Sequence, residues 1–135
     1  MGLTLPRILA LALLARLSIA QRTVVIENRC DYTVWPAVSG FPDLEEAYSG
    51  EPGWESKAGS KASITVPSKW MGRIWGRRGC MTRADGYLIC VAGGCEGGLD
   101  CGESVISEST ALELRLESST NGQYDVYDLQ NGGGW

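Results

Sequence analysis

The chain has 135 residues, 16 acidic and 12 basic side chains, and no histidine, for a net charge of −4. That length suits one small domain and is too short for two ordinary cores, while the acidic balance argues against a nucleic-acid partner. The absence of imidazole excludes Ser-His and Cys-His nucleophilic machinery, histidine metal sites and histidine proton relays together, so catalysis would have to rest on carboxylates.

In chain order, residues 1–20 read as a secretory signal. Arg7 precedes the apolar run "ILALALLARLSIA", and Ser18 and Ala20 place small residues at a cleavage position. Arg16 interrupts the run and leaves it short of the roughly 20 apolar residues that a membrane span needs. A secreted, extracellular protein with no membrane partner is therefore expected, its domain running from 21 to 135. Loss of Arg7 and Arg16 would make that domain more acidic still.

Seven strand signals follow, separated by turn residues. The first two are "TVVIEN" (23–28) and "TVWPAV" (33–38). Residues 41–60, "FPDLEEAYSGEPGWESKAGS", carry prolines, glycines and acids and read as a surface loop with one helical turn. Next come "ASITVP" (62–67), "GRIWGR" (72–77) and "GYLICV" (86–91). In "RIWGR", period 2 puts Arg73 and Trp75 on one face and Ile74 on the other. The clearest strand is "ALELRLES" (111–118), where Leu112, Leu114 and Leu116 point to the core and Glu113, Arg115 and Glu117 to the opposite face. Asn121-Gly122 has hairpin chemistry, and "YDVYDL" (124–129) returns as the partner strand. Short strands at this spacing, with 18 glycines for turns, indicate an all-β sandwich or barrel. The basic cluster Arg73, Arg77, Arg78 and Arg83 reads as a solvated strand edge, Arg73 excepted.

Secretion makes disulfides the default state of cysteine, and five cysteines leave one without an intramolecular partner. Cys80, Cys90, Cys95 and Cys101 crowd a glycine-rich stretch but lack the paired Cys-x-x-Cys knuckles of a zinc site. Neither a metal nor a cofactor is expected. Four cysteines allow three connectivities, and spacing does not choose among them.

Taken together, "VVIENRCDYTVWPAV", "GRIWGRRGC", "GYLICVAGGCEGGLDC", "TALELRL" and "DVYDLQNGGGW" resemble the thaumatin-like protein family in motif and in order. The resemblance implies a thaumatin-like β-sandwich with short disulfide-stapled loops, paired as Cys80–Cys90 and Cys95–Cys101, and leaves Cys30 unpaired. Typical members are longer and richer in cysteine, so the domain reads as partial and the chain as a truncated product of a longer gene. Two other readings of Cys30 stand beside that one: a buried free thiol behaving as a small hydrophobe, and a disulfide-linked dimer. The family signature also loses its threonine and aspartate in "CVAGGC" (90–95).

Members with an acidic cleft bind β-1,3-glucan and in some cases hydrolyse it, using one arginine, one glutamate and three aspartates. Position by position, the arginine falls on Arg73, the glutamate on Glu113 and the first aspartate on Asp128, with Asp125 as the alternative under a gapped alignment. The second aspartate falls on Gly133 and is absent. Glycoside hydrolysis uses two carboxyl groups, so Glu113 and Asp128 are the candidate catalytic pair, with Arg73 keeping one of them ionised. Without the resemblance both would read as ordinary solvated charges. Trp54 and Trp70, in irregular stretches, are candidates for stacking on sugar rings. The expectation is a secreted protein binding β-1,3-glucan or another cell-wall polysaccharide in defence, antifungal action or wall remodelling. The alternatives are a weak endo-β-1,3-glucanase and an effector or inhibitor acting through protein–protein contacts.

Overall fold

Seven antiparallel strands form the regular structure of the described residues: β1 Gln21–Glu27, β2 Trp35–Gly40, β3 Lys61–Pro67, β4 Met71–Thr82, β5 Leu88–Ala92, β6 Thr110–Arg115 and β7 Val126–Asn131. The structure, a computed structural model, describes residues 20–41, 47–102, 108–117 and 124–131. The signal segment up to residue 19, the Asn121-Gly122 turn, Gly133 and Trp135 lie outside them. β1 pairs with β3 in a two-stranded sheet. A second sheet has the order β2-β4-β6-β7, with β5 on the distal half of β4.

The core lies between these sheets because period-2 alternation gives each strand one apolar side. Ile64 and Val66 from β3 meet Val38 and Ile74 from β2 and β4, with Trp70 and Leu116 filling the space between. Burying each such side chain contributes about 1.5–3 kcal/mol. Close packing makes its own sequence demand at Gly72, where a Cβ would overlap the Trp70 ring. The leucine alternation of β6 continues this core: Leu116 is buried in it and Leu114 packs against it.

The other face of the large sheet is covered by a loop rather than a sheet. Ala37, Trp75 and Ala111 pack under Cys101, with Cys95 beside them. Cys95–Cys101 closes that loop, and Cys80–Cys90 joins residues directly opposed on β4 and β5. The Trp75 indole Nε1–H donates to the Gly93 carbonyl at 2.9 Å, so the aromatic ring packs without leaving its polar atom unpaired.

Three expectations need correction. β4 extends well beyond residues 72–77 because β5 takes over its ladder where β2 and β6 leave off. The described part of the 41–60 loop is not a loose surface excursion, since Val38 N–H donates to Pro52 O and Trp54 N–H to Pro36 O, sealing the outer edge of β2. Arg77, read from sequence as part of a solvated edge, is 0% exposed. Its Nε–H donates to Trp35 O, Nη1 to Gly98 O and Leu99 O, and Nη2 to Pro36 O. That fork fastens the disulfide loop to β2, and burial lowers the guanidinium pKa below its ordinary value. Arg78 and Arg83 are exposed.

Candidate functional site

The strand register places Arg73 of β4 opposite Glu113 of β6, and Glu113 opposite Asp128 of β7. Ser39 of β2 lies opposite Arg73 on the other side. The candidate residues thus occupy consecutive positions in one row across the large sheet, on the face away from the inter-sheet core. Directly opposed residues on antiparallel strands have Cβ atoms about 4.5–5.5 Å apart. Residues separated by 40 and 15 positions in the chain are therefore neighbours because three strands share one register.

Within the row the electrostatics differ from expectation. Glu113 is only 8% exposed, not solvated, and its cation is Arg115 rather than Arg73. Arg115 Nη2 donates to Glu113 Oε1 at 3.0 Å, and Arg115 Nε donates to the same oxygen at 3.4 Å. Positions two apart on a strand share a face, so the spacing of Glu113 and Arg115 was the sequence signal for this pair. Arg73 forms no ion pair among the described residues. Its guanidinium carbon lies 4.6 Å from the centre of the Phe41 ring, a cation–π geometry. Its Nε is buried without a hydrogen-bond acceptor among the described residues, an arrangement native structures rarely leave unexplained. Asp128 is exposed. Among the described residues no three His, Cys, Asp or Glu side chains gather as a metal site would require.

Asp125 is engaged elsewhere. Its carboxylate accepts from the Glu117 backbone N–H at 3.1 Å and from Arg22 Nη1 at 3.4 Å, while Arg22 also pairs with Glu117. Glu117 has a φ of 41°, a left-handed conformation that few non-glycine residues adopt, and these contacts hold it there. Asp125 thus ties the β6–β7 end of the large sheet to β1.

Trp70 is 0% exposed in the core and presents no face to a ligand, contrary to its reading as a stacking residue. Trp54 packs partly against that same core and lines an open cavity of about 500 Å³ beside β3, together with Tyr48, Ser63 and Thr65. Arg73, Glu113 and Asp128 do not line that cavity. Cys30 is a free thiol, and it is exposed rather than buried. The Cys30 sulfur, accepting a hydrogen bond from the Tyr32 hydroxyl, raises the pKa of that hydroxyl above its ordinary value.

Against known proteins, the model of the Thaumatin family matches residues 28–135. The chain belongs to the thaumatin family. This thaumatin-like chain is 39% identical over 113 residues to the PR5-like receptor kinase of Arabidopsis thaliana, covering 82% of itself and 16% of the kinase. It is 35% identical over 122 residues to pathogenesis-related thaumatin-like protein 3.4 of Cryptomeria japonica, covering 90% of itself and 45% of that protein. Among solved structures, the thaumatin-like xylanase inhibitor TLXI aligns at a TM-score of 0.57 and 29% identity, over 78% of this chain and 65% of the inhibitor. The chain spans less than half the length of the two sequence relatives. Its described residues contain no helix long and apolar enough to cross a membrane.

Proposed function

We propose that this chain is a secreted, defence-type thaumatin-like protein that binds β-1,3-glucan in cell walls through Arg73, Glu113 and Asp128. The observation that carries this reading is the shared row: the three residues stand side by side on β4, β6 and β7. A row of cation, acceptor and acceptor suits the hydroxyl-rich edge of a polysaccharide, which offers donors and acceptors in alternation.

Binding is favoured over cleavage. Two carboxyl groups about 5–5.5 Å apart are the arrangement of a retaining glycosidase, and opposed strand positions approach that spacing. However, Glu113 is nearly buried and one of its oxygens already accepts two hydrogen bonds from Arg115. A group so engaged is poorly placed to exchange a proton with a glycosidic oxygen. Any endo-β-1,3-glucanase activity is accordingly weak.

The test is retention of the folded chain on insoluble β-1,3-glucan, with reducing-end release from soluble glucan measured alongside. Retention without release is the expected outcome, and release abolished by Glu113→Gln would establish hydrolysis instead. A second reading, inhibition of a glycoside hydrolase by protein–protein contact, is supported by the likeness to a xylanase inhibitor. Absence of retention together with inhibition of a xylanase would favour it. Non-reducing electrophoresis of the same samples reads whether exposed Cys30 joins two copies.

A further inference from the structure

The row's own charges leave one residue unaccounted for. Arg115 is not among the residues that the family resemblance assigns to the cleft, which are Arg73, Glu113 and Asp128. Yet it lies on the same strand face as Glu113, two residues along, and donates from both Nε and Nη2 to Oε1. Its side chain is 45% exposed while that of Glu113 is 10% exposed, so the fork reaches inward from the rim of the row. Glu113 Oε2 makes no hydrogen bond to a described residue. Arg73, directly opposite Glu113, is held instead by Phe41.

From this geometry we infer that Arg115 is a positioning residue of the saccharide site, fixing Glu113 so that Oε2 alone meets a ligand hydroxyl. Two donors converging on Oε1 restrict the rotation of the carboxylate about its terminal bond, and a guanidinium presents both from one rigid plane, as an ammonium does not. The entropy of orienting the acceptor is then spent in folding rather than on binding. The same engagement leaves Arg73, half-buried and resting on Phe41, unpaired with Glu113. This inference rests on the glucan-binding reading for its ligand, but not for the contact between Arg115 and Glu113.

The experiment combines glucan retention with a ligand-free measurement, on the whole chain and on variants whose folding is checked by near-UV circular dichroism. Arg115→Ala is expected to weaken retention about fivefold when Glu113 is present and to change it little in a Glu113→Gln background, because the two act as one unit. Arg115→Lys should recover only part of the loss. Equal losses in both backgrounds would overturn the proposal by making Arg115 an independent ligand contact, and no loss in either would overturn it outright. In ¹⁵N NMR without ligand, the Arg115 Nε–H resonance should be slow to exchange and should move in Glu113→Gln. If the chain is not retained on glucan but that resonance responds, the glucan reading fails, and with it the saccharide role of Arg115, while the Arg115–Glu113 contact stands. An unresponsive resonance refutes the positioning role whatever the retention.

Discussion

Arg73 and Arg77 sit four residues apart on the same face of β4, and their surroundings are opposite. Arg77 is fully buried, with donors from all three of its nitrogens satisfied by backbone carbonyls of Trp35, Pro36, Gly98 and Leu99. Arg73 is half-buried, rests on Phe41 and keeps Nε without an acceptor among the described residues. The first is architecture: its charge is dispersed over fixed carbonyl dipoles, and full burial keeps it from a ligand. The second has no ion pair among those residues and stands in one row with Glu113 beside it and Asp128 a strand further on. Polar saturation distinguishes a structural arginine from a candidate ligand-binding one, even on a single strand.

The largest expected effect follows from the saturated side. Arg77→Met should cost about 3–5 kcal/mol, because several carbonyls lose a charged donor at once. Chemical denaturation would measure it, and a loss comparable to that of Arg73→Met would erase the distinction. Removing the staple of the loop that Arg77 holds, with Cys95→Ser and Cys101→Ser together, should cost about 2 kcal/mol in the chain-entropy model. If glucan retention fell in step with stability in that variant, the loop and the row would be one unit rather than two.

The aspartates offer a parallel contrast of smaller size. Asp125→Asn should lower stability by about 1 kcal/mol through its contacts with Arg22 and the Glu117 N–H, and leave glucan retention unchanged. Asp128→Asn should do the reverse. Exchange of these two phenotypes would move the site to Asp125.

The smallest effect concerns pH. Arg29, by hydrogen bond and charge, lowers the Glu27 pKa below its ordinary value. A carboxyl whose folded pKa is depressed adds stability that is complete above its unfolded pKa and is lost as pH falls through the folded pKa. Glu27→Gln should therefore flatten the acid limb of the stability–pH curve slightly; a steeper limb would reverse the assigned sign.

Much of this molecule follows from local pattern. The alternating leucines of 111–118, the Ile74/Trp75 split and the turn-rich spacing foretold seven strands, because a strand buried on one side must alternate. The motif order identified the family, and with it the two disulfides that the structure contains. Strand ends were less legible, as at β4, since a strand continues for as long as a neighbour accepts its hydrogen bonds.

What the sequence by itself determined was the strand pattern, the cysteine surplus and the residue types available for chemistry. Tertiary structure alone decided which charges matter. It buried Arg77, turned Trp70 into core and assigned Asp125 to Arg22. The physical reason is that a charge's role depends on which atoms surround it, and those atoms come from strands whose register no single segment encodes.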